Sequence, residues 1–436
     1  MPCGKVDALK INPMLTLTRL ATGLRLFVIC LVAVSVSLPM AWISLGKLLL
    51  FVTCLVFLCL DLLQGKRDRA IRELWTVRTI LLILGAFALS LIWTEAPIDI
   101  ALLAFNKHSK LLEIAMLVVL IRNARDARIA ILAFFASQAF FVLSSWGMTT
   151  GFRVPWATSA PNPAYQYVVY STYLDQTLIF SSAAAVFWHL REEWNSTAWL
   201  AVALAVAAVT NNLFLQEGKT GYIATLMILT LVIMWEIPKK WRLAVFVLAP
   251  TVIGIAMYAG SSKFQAKVTQ ILHESQNYSA QGDNASSSGF RLHAWRRSLE
   301  AIAEQPLTGH GVGSWTQTVK RIEGANANKV FGDGASSNPH QEFLLWGVEL
   351  GVGGALLLIF LMVALIRDSL RFDTPVRRAT LSVVAVMVVA CLFNSSLYDA
   401  LIGDFFCVTL GLLLALGVRG NTGSAARASF NTRIHA

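Results

Sequence analysis

Long apolar runs constrain this chain more than any other feature of its sequence. Those centred near residues 54 and 410 are long enough to cross a bilayer, which takes about 20 residues in a helix. Hydrophobic residues make up 56% of the 436 and charged residues only 14%, a composition that argues against a soluble domain. Because the bilayer interior offers no partner to the backbone, each span must be helical. The sequence therefore predicts an all-α, polytopic membrane protein.

Twelve spans are predicted, and they divide the chain into four parts. The first nine lie within residues 1–259, a large loop with amphipathic helices occupies residues 260–340, and three more spans lie within residues 341–418. Residues 419–436 are polar and are predicted to form a disordered cytoplasmic tail. The predicted spans are centred near residues 33, 54, 87, 115, 137, 181, 206, 229, 251, 354, 387 and 410.

The distribution of positive charge orients these spans. Most of the 36 lysines and arginines fall in the termini and in every second connecting loop, and positive residues in short loops are retained in the cytoplasm. Both termini are therefore predicted to be cytoplasmic, and the loop of residues 260–340 faces outward. The net charge of +11 reflects this bias, so it does not indicate a nucleic-acid-binding protein.

The outward loop contains the candidate active site, since a loop of roughly eighty residues is usually functional. Its apolar spacing predicts an amphipathic helix that lies on the membrane surface and stops at Pro306. The apolar residues at spacings of three and four are Leu292, Trp295, Leu299 and Ile302. Glycines at 309, 311 and 313 then predict a tight turn that exposes its backbone.

Three residues are the strongest candidates for chemistry. His340 ends the loop where the next helix would begin, and an imidazole there suits a general base for a sugar hydroxyl. The helix N-terminus would lower its pKa and keep the ring neutral. Arg291 and Lys219 are cations on the same face that together would clamp a pyrophosphate. The alternatives are a histidine satisfied by water and cations that contact lipid phosphates.

Four further residues are weaker candidates for substrate binding, chosen for charge and for an outward position. They are Arg153, Arg296, Arg297 and Asp399. Glu349 follows His340 by nine positions, about half a turn out of phase on a helix, so it is not expected to orient the imidazole. The seven histidines show no metal-ligand spacing, and the loop contains no cysteine. Neither a metal site nor a disulfide is therefore expected.

Three motifs resemble those of the O-antigen ligase and polymerase superfamily. They are Ser-Gly-x-Arg-Leu-x-x-Trp at residues 288–295, Pro-x-x-Gly-x-Gly at 306–311, and His-x-x-x-Leu-x-x-x-x-Glu-Leu-Gly at 340–351. The chain departs from the family pattern in two places. Lys219 stands where relatives tend to have an arginine before Thr-Gly, and Gln341 stands where the family often has asparagine after the histidine.

The resemblance implies a glycosyltransferase of the GT-C type in the bacterial inner membrane, with its active site on the periplasmic side. The implied donor is an O-antigen glycan on undecaprenyl pyrophosphate, and the implied acceptor is a sugar hydroxyl of lipid A-core. Transfer would invert the anomeric carbon and use no metal or cofactor. In this scheme His340 corresponds to the family histidine, Arg291 to the loop arginine and Lys219 to the second cation.

Among activities, the resemblance favours a ligase that attaches polymerised O-antigen. An O-antigen polymerase or a protein O-oligosaccharyltransferase remains an alternative, because these enzymes share the donor. The alternative from another class is a flippase or transporter of lipid-linked sugars. The sequence disfavours a transporter, since it shows neither inverted repeats nor broken helices at mid-membrane.

Overall fold

The computed structural model describes residues 13–65, 73–157, 163–281, 287–324 and 338–434. Across these ranges the chain forms seventeen α-helices and a few short 3-10 turns, and the described residues contain no strand. In chain order the helices are α1 (Pro13–Ser35), α2 (Met40–Leu63), α3 (Trp75–Ser90), α4 (Ile98–Ser109), α5 (Leu112–Leu120), α6 (Ala124–Gly147), α7 (Tyr173–Leu190), α8 (Ala198–Phe214), α9 (Lys219–Glu236), α10 (Arg242–Gly260), α11 (Ser262–Gln281), α12 (Ser287–Glu304), α13 (Trp315–Glu323), α14 (Glu342–Leu350), α15 (Val352–Ser369), α16 (Thr374–Phe393) and α17 (Ala400–Ile434).

Seven described helical segments are long and apolar enough to cross a membrane. They are Met40–Leu63, Ala124–Thr150, Lys219–Glu236, Lys239–Gly260, Val352–Ser369, Thr374–Phe393 and Ala400–Gly420. Three shorter apolar helices, at Leu20–Ser35, Trp75–Ser90 and Ala198–Phe214, also coincide with predicted spans. The prediction of a polytopic helical membrane protein is confirmed. The predicted count of twelve spans is not established by these helices.

The predicted spans near residues 115 and 181 are not single apolar helices. The one centred near residue 115 is interrupted at Lys110 and Leu111, so that two short helices, α4 and α5, replace it. The one centred near residue 181 is α7, an 18-residue helix that is too polar to count among the seven apolar ones. Helix α7 is buried along most of its length by α8, α9 and α16, which surround it.

A buried polar network holds α7 to its neighbours. The Gln176 side-chain amide donates to the Ser145 hydroxyl at 3.1 Å, and the Asn212 amide donates to the Thr177 carbonyl at 2.9 Å. All four of these side chains are buried in the bundle. Since lipid tails offer no hydrogen bonds, small residues and amides that bond across helices stabilise such a bundle.

The last helix runs further than the sequence predicted. Helix α17 continues to Ile434, whereas residues 419–436 were predicted to be disordered. Its apolar part, Ala400–Gly420, is the most enclosed of the seven apolar segments. Helix α14 ends at Leu350. The next residue, Gly351, has a φ of 68°, in the left-handed region that glycine adopts freely, and α15 begins immediately afterwards. The predicted span centred near residue 354 is thus a broken helix.

The region of residues 260–340 contains three described helices, α11, α12 and α13, and residues 282–286 and 325–337 lie outside the described ranges. The predicted amphipathic helix is present as α12, and it packs against α13 and α14. Its fully buried residues are Ala294, Ser298 and Ala301, whereas Leu292 and Leu299 are exposed. The predicted apolar face is therefore packed only in part: Ile302 lies against Gly347 of α14 and Trp295 donates to the Pro339 carbonyl, while small residues occupy the fully buried positions.

Candidate functional site

His340 lies in the short segment that leads into α14, and its backbone conformation is unusual. Its φ is 53°, the only positive value found at a non-glycine residue in the described part of the chain. The His340 amide donates to the Asn338 side-chain oxygen at 2.9 Å, and Gln341 caps α14 by accepting from the Leu344 amide at 2.6 Å. A left-handed residue costs about 1–3 kcal/mol and persists only where its surroundings hold it in place. These bonds therefore fix the backbone that carries the imidazole.

The surroundings of His340 favour a neutral ring. The imidazole is partly buried beside the Phe290 ring, with the ring centres 6.0 Å apart. Burial, together with the positive charge of Arg291, lowers the pKa of His340 to about 4. The predicted direction of this shift is therefore supported, but its causes are burial and Arg291 rather than the predicted helix N-terminus. At neutral pH the ring is able to accept a proton.

Arg291 approaches His340 from the first turns of α12. Its guanidinium donates to the Asn394 side-chain oxygen at 3.2 Å. Asn394 follows the last residue of α16, so this bond joins α12 to the C-terminal end of an apolar helix. Burial lowers the pKa of Arg291 below its usual range, and the nearby Tyr173 and Glu274 oppose that shift. The guanidinium is thus a partly enclosed cation close to the candidate base.

Lys219 is the first residue of α9, and its ammonium group has a specific partner. It donates to a Glu274 carboxylate oxygen at 2.8 Å and to the Ser288 hydroxyl at 3.4 Å. Because Glu274 also interacts electrostatically with Arg291, the two cations share this carboxylate. The structure therefore places Lys219, Arg291 and His340 in one neighbourhood, formed by α9, α11, α12 and the segment before α14.

Glu274 is a site residue that sequence reasoning missed. Burial of its carboxyl group would raise the pKa, but hydrogen bonds from Lys219 and Ser288 outweigh that effect and keep the pKa below its usual value. Glu274 lies in the polar helix α11, and no motif or spacing distinguishes it from the other acidic residues of the loop. Only the packing of α11 beside α12 identifies its role.

A polar segment between α16 and α17 bonds to residues on both sides of His340. The Ser395 hydroxyl accepts from the Gln341 amide at 3.1 Å, and an Asp399 carboxylate oxygen accepts from the Asn338 side-chain amide at 3.5 Å. Burial raises the pKa of Asp399, and the positive charges of Lys110 and Lys107 oppose that shift. Asp399 therefore acts on His340 through Asn338. The run Asn-Ser-Ser at 394–396, between two apolar helices, is the signal that sequence reasoning overlooked.

The remaining predicted cations have other positions. Arg296 is exposed and pairs with Glu300 at 3.2 Å, one turn along α12. Arg297 pairs with Glu300 and also with Glu323 of α13, each at 2.5 Å. On a helix these two arginines point away from the direction of Arg291. Arg153 is exposed in the segment that follows the 3-10 turn at Met148–Thr150.

The glycine turn has a structural role instead of the predicted exposed one. Gly311 donates its amide to the Glu349 carbonyl at 2.9 Å, and the Gly313 amide donates to a Glu349 carboxylate oxygen at 2.8 Å. The other carboxylate oxygen of Glu349 is bonded to His108 at 2.9 Å. Since the turn is buried and its amides are used inside the protein, the prediction of an exposed backbone was wrong. As predicted, Glu349 serves a partner other than His340.

The comparisons with known proteins bear on this same region. No match was found among curated proteins. Residues 203–359 match the family described as O-Antigen ligase, and the matched stretch begins within α8 and ends within α15. It contains Lys219, Arg291 and His340, the residues that the structure brings together. The matched stretch, which is about a third of the chain, is thus similar to the O-antigen ligase family.

Proposed function

We propose that this protein is an O-antigen ligase, which transfers polymerised O-antigen from undecaprenyl pyrophosphate to a sugar hydroxyl of lipid A-core. The reaction takes place at the periplasmic face, inverts the anomeric carbon and needs no metal. The observation that carries the proposal is a neutral, positioned imidazole, His340, beside the guanidinium of Arg291. The family match at residues 203–359 supports the class of donor.

In the proposed reaction His340 is the general base. It removes the proton from the acceptor hydroxyl while that oxygen bonds to the anomeric carbon of the donor glycan. The bond between the anomeric carbon and the pyrophosphate oxygen breaks at the same time, so undecaprenyl pyrophosphate leaves with the electron pair. The proton on His340 then passes to solvent. An unliganded pKa of about 4 makes a weak base, but a bound pyrophosphate would offset the charge of Arg291 and raise that pKa.

The two cations stabilise the leaving group. Arg291 presents a planar fork that suits phosphate oxygens, and Lys219 presents a point charge. Charge that develops on the departing pyrophosphate is therefore neutralised without an acidic side chain. The donor has to compete with the Glu274 carboxylate, which already pairs with Lys219 at 2.8 Å. The ion pair between Glu274 and Lys219 thus weakens donor binding.

Asn338, Ser395 and Asp399 are positioning residues in this proposal. They hold the backbone on both sides of His340 and so fix the left-handed conformation that aims the ring. A misplacement of about 1 Å in a catalytic group commonly costs a hundredfold in rate. Their loss is therefore expected to lower the rate of transfer more than the binding of either substrate.

The test uses a strain that lacks this gene, complemented with variants of matched protein level. His340→Ala is expected to leave lipid A-core bare while long glycan accumulates on the lipid carrier. His273→Ala, an exposed histidine of α11, is the matched control and should restore wild-type lipopolysaccharide. Transfer by His340→Ala at the wild-type level would refute the assigned base. Lipid A-core capped by a single repeat in the deletion strain would identify a polymerase instead.

A further inference from the structure

Two carboxyl groups lie together inside the helical bundle, apart from the proposed catalytic residues. Glu113 belongs to the short apolar helix α5 and is 2% exposed, and Asp404 belongs to α17 and is 1% exposed. Helices α5 and α17 pack closely along their lengths. Acidic groups within apolar spans are costly, so they indicate function unless partners satisfy them.

The hydrogen bonds available to this pair are incomplete. Lys47 of α2 donates to one Asp404 oxygen, Oδ2, at 2.9 Å. The other oxygen, Oδ1, and both carboxylate oxygens of Glu113 accept no hydrogen bond from any other group in the described residues. The two carboxyl groups lie within hydrogen-bonding reach of each other, but two ionised carboxylates have no proton to share. A single proton supplies the missing donor and removes one buried negative charge.

A cavity gives this pair access to the surface of the bundle. It has a volume of about 400 Å³, and Lys47, Lys110 and Glu113 contribute its charged lining. Leu48 and Phe51 of α2 line the same cavity and are 60% and 52% exposed, so the cavity opens between α2 and α4. The cavity therefore leads from the surface of the bundle to the side chain of Glu113.

We propose that Glu113 and Asp404 form a carboxyl pair that binds one exchangeable proton inside the membrane. The charged and titratable groups that face the pair in the described residues are Lys47 of α2, Lys110 at the end of α4 and Cys407 of α17. The two lysines oppose a metal cation at this position. One proton leaves the pair with a net charge of −1, which Lys47 balances at 2.9 Å.

Lys110 links this proton site to the segment that supports His340. Its ammonium group donates to the carbonyl oxygens of Tyr398 and Asp399, at 3.3 Å and 2.6 Å. Loss of the shared proton adds a negative charge close to Lys110 and draws the ammonium group away from these carbonyls. The protonation state of the pair is thereby connected with the position of Asp399, which the proposed reaction uses to hold Asn338.

An apolar carbodiimide tests the proton site directly, because it reacts with a carboxylic acid and not with a carboxylate. Membranes that contain the wild-type protein are treated with dicyclohexylcarbodiimide between pH 6 and pH 9, and adducts are located by peptide mass spectrometry. The expected result is an adduct on Glu113 that decreases as the pH rises. Glu349 is the matched control, since it is fully buried but bonded to His108 and Gly313, and it should remain unmodified.

Two variants make the outcome decisive. Glu113→Gln should abolish the adduct, and Asp404→Asn should reduce it severalfold, because its amide supplies a donor and frees Lys47 to pair with an ionised Glu113. Absence of any adduct on Glu113 across the pH range would overturn the proposal, as would an adduct of equal yield in Asp404→Asn. The readout does not depend on glycan transfer, so the proton site and the ligase assignment can fail separately.

Discussion

Gly311 is the position at which the structure makes its most quantitative prediction. Its φ is 87°, and a Cβ atom there would lie 2.2 Å from the Thr94 Cα and 2.8 Å from the Thr94 amide nitrogen. Backbone atoms cannot yield as the end of a flexible side chain does. Substitution by alanine must therefore separate the glycine turn from the segment between α3 and α4, or break the bond from the Gly311 amide to the Glu349 carbonyl.

The expected loss has two parts. A left-handed conformation costs an alanine about 1–2 kcal/mol relative to glycine. Overpacking against a fixed neighbour adds about 1–3 kcal/mol. Gly151→Ala isolates the first part, because Gly151 has a similar φ of 83° and a Cβ atom there would meet no heavy atom of the described residues within 4 Å. We therefore expect Gly311→Ala to lose about 2–5 kcal/mol, and Gly151→Ala to lose only about 1–2 kcal/mol.

The measurement is unfolding of the purified protein in detergent micelles, by heat or by denaturant, with both variants compared to the wild type. A general effect of replacing a glycine, on expression or on micelle binding, would change the stability of both variants alike. Only the contact with Thr94 distinguishes them. Equal losses for the two substitutions would refute the reasoning, since they would mean that the contact with Thr94 contributes nothing.

Two further predictions concern the site. In a reconstituted assay, kcat/KM for the donor should stay level as the pH falls and decline only near pH 4, because protonation of His340 removes the base. A decline near pH 6.5 would contradict the proposed surroundings of the ring. Glu274→Gln should lower the donor KM by about three- to tenfold without changing kcat, because Lys219 loses a competing carboxylate. Glu217→Gln is its control, since Glu217 pairs with Lys263 and Lys267 instead, and a raised KM in Glu274→Gln would mean that Glu274 orients Lys219 for the donor.

The fold was predictable to the extent that the length of the apolar runs determines it. Helices of high hydropathy, such as α2 and α17, were identified because their composition alone requires a membrane. The break at Lys110 and the length of α17 were not predicted. The break accompanies hydrogen bonds from Lys110 to the Tyr398 and Asp399 carbonyls, which are distant in sequence. The buried face of α12 shows the same limit: Ala294 and Ser298 pack against a neighbour because they are small, and hydrophobic spacing does not reveal that.

The candidate site was predictable where residue chemistry is distinctive. A histidine before a helix and two cations in outward segments were chosen from the sequence, and the structure places them in one neighbourhood. Glu274 and Asn394 were missed because a carboxylate or an amide in a polar segment has no signature of its own. The glycine turn was misinterpreted, because its spacing is the same whether the amides face a ligand or, as here, the Glu349 backbone and carboxylate.

The polarity of α7 has a consequence for how the protein is made. A helix that carries Gln176, Thr177 and two serines into the bilayer is a poor candidate for independent transfer from the translocon to lipid. The Gln176 amide donates to Ser145 of α6, and the Ser181 hydroxyl accepts from Asn212 of α8 and is bonded to Thr225 of α9. Integration of α7 is therefore expected to wait until α8 and α9 have been synthesised, so that these three helices enter the membrane as one unit.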